Sequence, residues 1–431
     1  MNTPICDFVK KYNDSNFHRL HMPGHKGAPL LGFEQYDITE IKGADALYEA
    51  NGIIKESEDN ASSLFGCPTF YSTEGSSQCI RAMLYIAKLL GRNKILAGRN
   101  AHKAFITAAA LLDLEVEWIF SNASYLSCEI SKEGLEQEII KHRPGAVYIT
   151  SPDYLGGTSD INAISEICKK HKVLLLVDCA HGAYFKFLPE SLFPVDLGAD
   201  MCCASAHKTL PCLTGGAYLH IKDEALASYA KMALALFGST SPSFLILQSL
   251  DKVNEYLSLG FKDKLSALIL KAERMKKVLR SKGYTLYEAE PLKITLCTKA
   301  YGYTGIEFAE ILRSKSIECE FADPDFTVLM IGITSNLDYL EKALLSITPL
   351  APITVFPPKI EKPQRALSIR QAIMSKNKKA VINEAQGNAL ASLSLSCPPA
   401  VPILVCGEVI SENAVKCFEY YGIEEIEIVS E

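Results

Sequence analysis

Two short stretches combine residue types suited to cofactor chemistry: Asp178-Cys179-Ala180-His181-Gly182 and, thirty positions on, Ser205-Ala206-His207-Lys208-Thr209. Each follows a short apolar run, residues 173–177 before the first and 201–204 before the second. Read as buried parallel strands, these runs deliver an aspartate and a lysine to one edge of a sheet. That edge, at the carboxyl ends of strands, is where open α/β sheets bind ligands. A lysine beside a carboxylate there points to a Schiff base with pyridoxal phosphate, whose ring nitrogen takes an acidic partner. The competing account is a surface lysine after one strand and a helix-capping aspartate after another.

Such a cofactor also requires a phosphate cradle and a group flat against its ring. Thr73-Glu74-Gly75-Ser76-Ser77 directly precedes a helical pattern. A Gly-Ser-Ser turn there offers N–H groups and hydroxyls to an anion, helped by the helix dipole; an ordinary helix cap reads the same way. Ser205 and His207, flanking the lysine, could add two donors. His102, in Arg99-Asn100-Ala101-His102-Lys103 after another strand-like run, could lie on the ring, or simply belong to a capped turn. Thr150-Ser151-Pro152-Asp153-Tyr154 ends a further run. His21 and His25 have the four-residue spacing of a helical metal pair, with His18 nearby. Pro23-Gly24 between them breaks a regular helix, so no metal site is expected.

These residues must be carried by a chain of 431 residues, enough for two or three domains. Nearly half of it (48%) is apolar and 22% is charged, which allows a large core. A net charge of −6 without a basic stripe argues against a nucleic-acid partner. No apolar run reaches the ~20 residues of a membrane span, and no basic segment followed by an apolar one opens the chain. The fourteen scattered cysteines read as reduced, buried residues of a cytoplasmic protein.

The Pro- and Gly-interrupted residues 1–60 read as an extended arm lying on a domain or another subunit. Strand-length runs at 94–98, 116–120, 146–150, 174–177 and 201–204 alternate with helical patterns at 77–90, 102–112, 132–142 and 162–172. That is the pattern of an α/β fold with a mostly parallel sheet. An amphipathic stretch at 243–282, broken at Gly260, closes a large domain of residues 61–285. Strands at 293–298, 317–321 and 326–331, with helices at 306–315 and 337–345, predict a smaller α+β domain of residues 286–431. A Pro-rich linker (349–363), two more helical patterns and a Pro-rich turn at 398–402 complete it.

In order and rough spacing, these motifs resemble the fold-type-I pyridoxal-phosphate decarboxylases acting on ornithine, lysine and arginine. The likeness runs through His21-Met22-Pro23-Gly24-His25-Lys26-Gly27, Asp37-Ile38-Thr39-Glu40, the Arg99 and Thr150 segments, Asp178–Ala183 and Ser205–Leu210. It covers residues 15 to about 225 and continues weakly in Cys397–Pro402 and Gly407-Glu408. The resemblance implies that Lys208 carries the cofactor, Asp178 pairs with its ring nitrogen and His102 stacks on the ring. It implies that Gly75, Ser76, Ser77, Ser205 and His207 hold the phosphate, and that His181 lies nearby. It also implies a homodimer with a shared active site, the arm around Glu40 and Asp45 approaching across the interface, and a place in polyamine metabolism. Glu40, Asp45, Glu74 and Asp153 are the carboxylates available to a basic substrate.

Departures fall where the family has Glu at Cys179, Thr at Asp153, Asn-Gly-Ser-Thr at Glu74–Ser77 and Tyr-Pro-Pro-Gly-Ile-Pro at Cys397–Pro402. A glutamate usual before that last turn is replaced around Ser392. The resemblance is to the short form without the extra N-terminal domain of the longest relatives, so their large ring assemblies are not expected. Two other functions stay open: an aminotransferase or lyase on the same fold, with Arg313, Arg365 or Arg370 holding a carboxylate, and a non-catalytic binding protein.

Overall fold

The computed structural model describes residues 1–120, 130–396 and 402–430. The chain forms two compact units: Met1–Arg92, Gly145–Val147 and Ile161–Lys264 make one, and Asn93–Pro144, Tyr148–Asp160 and Leu265–Glu431 the other. A seven-stranded, mostly parallel sheet is built from β1 (Thr69–Ser72), β2 (Lys94–Gly98), β3 (Glu115–Ile119), β4 (Ala146–Thr150), β5 (Leu174–Asp178), β6 (Met201–Ala204) and β7 (Ala217–Ile221). Their order is β1-β7-β6-β5-β4-β2-β3. β5 pairs in parallel with β6, as β2 does with β3, while β7 runs antiparallel to β1 and β6.

The five expected strands of this sheet form within a residue of their predicted ends, because short apolar runs buried on both faces are what parallel strands need. β1 and β7 escape the sequence reading. β1 is four residues long and half polar, and β7 carries His220 as the fourth of its five residues. That ring is fully buried, with Nδ1 3.0 Å from the Thr69 hydroxyl on β1. Burial pushes its pKa down to about 3, so it sits in the sheet neutral.

In the first unit, the expected arm is partly helical: α1 (Pro4–Asp14) and α2 (Ile53–Phe65) flank it. Pro4 suits the first turn, where its missing N–H is no loss. Thr3 provides no side-chain cap. The cap comes instead from Asp251 on the helix Phe244–Ser258, whose Oδ2 accepts the Ile5 and Cys6 N–H groups at 3.0 Å each. Ser57 of α2 donates to Oδ1 at 2.6 Å. With Ile5 and Val9 fully buried, α1 is held by tertiary contacts that local sequence does not announce.

The second unit contains an antiparallel sheet of β8 (Lys293–Cys297), β9 (Phe321–Ala322) and β10 (Phe326–Met330), in the order β8-β10-β9. Helices Gly305–Ser314 and Leu337–Leu345 accompany it, close to expectation. The strand expected at 317–321 shrinks to two residues. Ile317 is spent closing the preceding helix, its N–H bonded to the Leu312 carbonyl after Ser316 at φ +57°. Farther on, helices Ile369–Met374 and Glu412–Tyr420 match the two remaining helical patterns. Strands Asn377–Val381 and Glu425–Val429 pair antiparallel, unforeseen because the first is largely exposed and polar. Most of the predicted turn at 398–402 lies outside the described residues.

Burial raises the Asp251 carboxyl from 3.8 to about 6, against the hydrogen bonds that lower it. A folded pKa above the unfolded one means stability is lost as pH rises between those values and stays lost above them. Asp251→Asn should therefore gain stability relative to the parent on going from pH 4 to pH 7.5, by roughly 1–3 kcal/mol. Urea titrations at both pH values check this, and a pH-independent difference would refute it.

Candidate active site

In the first unit, β5 and β6 pair so that Asp178, the last residue of β5, stands opposite Cys203, one residue before the end of β6. Asp178 is 2% exposed. Its Oδ1 accepts the Ala180 N–H at 3.1 Å and the Cys203 thiol at 3.5 Å. Burial, followed by the Asp178 charge, pushes the Cys203 thiol well above its ordinary pKa, so it remains a donor. After β6, Lys208 lies in the short helix Ala206–Thr209, with Nζ 3.0 Å from His181 Nε2. An ammonium can only donate, so this contact gives His181 its lone pair at Nε2 and its ring proton at Nδ1.

The same unit carries α3 (Gly75–Leu89). Its N-cap residue Glu74 does not cap it; the Glu74 carboxylate instead accepts the Ser239 N–H. Gly75 has φ +72°, a region glycine enters without strain, and its N–H bonds the Gly215 carbonyl at 2.7 Å. Ser205 Oγ donates to Ser76 Oγ at 2.9 Å, and both serines are buried. His207 Nδ1 lies 3.0 Å from the Gly216 carbonyl, which directs Nε2 away from that contact. A Cβ at Gly75 would meet only His207 Cε1, at 3.9 Å. The first turn of α3, the Ser76 and Ser205 hydroxyls and the His207 ring thus gather around a small open space, a donor set suited to an anion. Ser77, partly exposed, is the third residue of that turn.

The second unit holds His102 and Asp153. His102 is the N-cap of α4 (Lys103–Leu111), its Nδ1 accepting the Ala104 N–H at 3.1 Å. Asp153 is 5% exposed, and burial raises its carboxyl to about 6. Its Oδ1 accepts the Gly157 N–H at 2.8 Å, and its carbonyl accepts the buried Lys293 Nζ at 2.9 Å. Asp153 lines a cavity of about 610 Å³ with Asn100, Thr150, Asp160 and Tyr287, at the carboxyl ends of β2 and β4.

The arm carboxylates divide. Glu40 accepts the Thr39 hydroxyl at 2.7 Å and is otherwise exposed. Asp45 accepts backbone N–H groups of Ala46, Asn51, Gly52, Ile54 and Lys55, closing the loop into α2. Burial alone would raise its carboxyl; those N–H groups outweigh it and hold the pKa below the usual range. Of the histidines, His21 Nε2 meets the Tyr12 hydroxyl and His25 Nε2 meets Asp37, so the two turn to different partners.

Two features passed the sequence reading by. Cys203 beneath Asp178 looked like one more apolar residue of β6. Arg99 forms a buried, two-armed ion pair with Glu408, both N–O distances 2.6 Å. A charged residue ending an apolar run, and a distant glutamate after another, were its only signals.

The family model described as Orn/Lys/Arg decarboxylase, major domain, matches residues 3–297. The chain belongs to this family. Its relatives include the arginine decarboxylase of Halalkalibacterium halodurans, 29% identical over 95% of this chain and 91% of that one. The arginine decarboxylase of Bacillus subtilis is 28% identical over 96% of this chain and 92% of its own. Among solved structures, the Francisella novicida lysine decarboxylase LdcF superposes with a TM-score of 0.80 at 16% identity, covering 99% of this chain and 81% of that one. The Escherichia coli constitutive lysine decarboxylase gives 0.78 at 15%, over 100% and 82%. At that identity the likeness is one of fold, and the fold is type I, as expected.

For this decarboxylase-family chain, Asp45 reads as a loop staple. Asp45→Ala should lower stability by about 1–3 kcal/mol through five N–H groups losing their acceptor. The check is a denaturant melt beside a cofactor titration; a changed cofactor affinity at unchanged stability would assign Asp45 to the ligand instead.

Proposed function

We propose that the chain binds pyridoxal phosphate and decarboxylates a basic amino acid to the corresponding amine and carbon dioxide. One observation carries this reading: the Lys208 amine, the buried Asp178 carboxylate and the donor-lined start of α3 lie in one unit. The residues fit the group. Lys208 offers an amine to the aldehyde, and Asp178 offers an acid to the ring nitrogen. The N–H groups of the α3 turn that follow Gly75, with Ser76, Ser77, Ser205 and His207, offer donors to the phosphate. His102 takes the ring face. Bound there, the cofactor supplies an electron sink for the bond pair released as carbon dioxide leaves.

The chain's own groups do the rest. Asp178 holds a proton on the ring nitrogen, with the Cys203 thiol and Ala180 N–H fixing the carboxylate in place. His181 Nε2, 3.0 Å from Nζ, takes the surplus proton of Lys208 and returns it when the lysine is displaced. Relatives named as arginine and lysine decarboxylases favour a substrate with a cationic head group. Asp153, on the cavity wall, is the best-supported carboxylate to meet it; Glu74 and Glu40 remain available.

We infer a homodimer in which the arm of one subunit completes the partner's site. Its support is the run of exposed apolar side chains Phe17, Leu20, Met22, Leu30 and Leu31 on that arm, with Leu30 89% exposed.

Lys208→Ala should abolish the visible absorbance of the protein with added cofactor; a spectrum unchanged by the substitution sinks the assignment. Asp178→Asn should still bind cofactor while kcat falls about 10²-fold or more. Trapping carbon dioxide from arginine, lysine and ornithine names the substrate, and a keto acid in its place would mean transamination. Sedimentation of the parent and of Leu20→Glu/Leu30→Glu should show a dimer and a monomer respectively.

A further inference from the structure

We infer that Glu408 is a positioning residue: through Arg99 it fixes the turn that presents the His102 imidazole. This rests on the reading that His102 faces the cofactor ring. Arg99 directly follows β2 and stands three residues before His102, and it is 1% exposed. Its Nη1 and Nη2 meet Glu408 Oε1 and Oε2 in a fork, both at 2.6 Å, and Glu408 is itself 4% exposed. Glu408 Oε2 also accepts the Val405 N–H at 2.8 Å, so the carboxylate cannot swing without breaking its own turn. The guanidinium lies over the rings of Trp118 and Phe120, at 5.3 and 5.1 Å from their centroids. A planar, doubly bonded and stacked guanidinium has little freedom.

The grip extends beyond one pair. Arg370, from the helix Ile369–Met374, donates to the Ala110 carbonyl at 2.9 Å, at the far end of α4. Arg365 donates to the Val116 carbonyl on edge strand β3 at 2.6 Å. The C-terminal segment thus holds the β2–α4–β3 unit at three points, and His102 caps α4 between the first two. Breaking the fork leaves an uncompensated buried charge beside that turn, whose cheapest relief is movement of the turn.

The test uses the full chain with Glu408→Gln, which keeps the shape and loses the charge, in parent and His102→Ala backgrounds. The imidazole NMR signals of His102, assigned by their loss in His102→Ala, should shift in Glu408→Gln. Pyridoxal phosphate should bind about tenfold more weakly to Glu408→Gln in the parent background, and no more weakly than to His102→Ala alone when the two are combined. Glu408→Asp should recover part of the affinity. If Glu408→Gln does not fold, Arg99→Lys, which keeps the charge and loses the fork, takes its place. Unmoved His102 signals overturn the inference, as does an equal loss of affinity in both backgrounds where His102→Ala itself weakens binding. Shifted signals with an affinity indifferent to His102→Ala uphold the positioning and refute the stacking reading instead.

Discussion

The parallel pairing of β5 with β6 is the constraint on which the site depends. Its register sets Leu176, Val177 and Asp178 against Met201, Cys202 and Cys203. Because side chains alternate across a strand, a slip of one residue would turn Asp178 to the opposite face and carry Cys203 away from it. The same pairing ends the two strands within one residue of each other, so the turns holding His181 and Lys208 emerge side by side. Neither residue needs a special local conformation to meet the other. Sheet geometry brings them to 3.0 Å.

Three aspartates show how far environment overrides residue type. Asp45 gathers five backbone N–H groups and is held below the usual carboxylate range. Asp251 gathers two N–H groups and a hydroxyl, yet burial wins and raises it to about 6. Asp153, also near 6, has Lys293 close by but bonded to its backbone carbonyl and not to its carboxylate. The balance between desolvation and hydrogen bonding, rather than charge count, separates a loop staple from a group able to hold a proton near neutrality.

Much of this was legible in the chain. Strands buried on both faces announce themselves as apolar runs; Asp178 ends one of them, and Lys208 and His102 each stand four residues beyond another. Helices Leu337–Leu345 and Lys132–His142 appear at their predicted limits because their apolar spacing is undisturbed. What escaped depends on distant partners. β1 is half polar and is justified only by β7, which lies some 150 residues away. The α1 helix depends on a cap from Asp251, and the strand Asn377–Val381 has no apolar face to read. That Asp45 also closes a loop could not be read, because a carboxylate's backbone partners leave no trace in spacing.

The cap on α1 bears on how the protein is made. This helix leaves the ribosome well before its cap, because the carboxylate that satisfies its opening N–H groups lies 246 residues downstream of Ile5. At typical elongation rates of about 5–20 residues per second, roughly 10–50 s separate the two. An 11-residue helix is too short to persist alone in water over that interval. The N-terminus therefore waits as unstructured chain, with its apolar face exposed, until Phe244–Ser258 has been synthesised. Within the first unit, α1 settles only after its distant cap has been made.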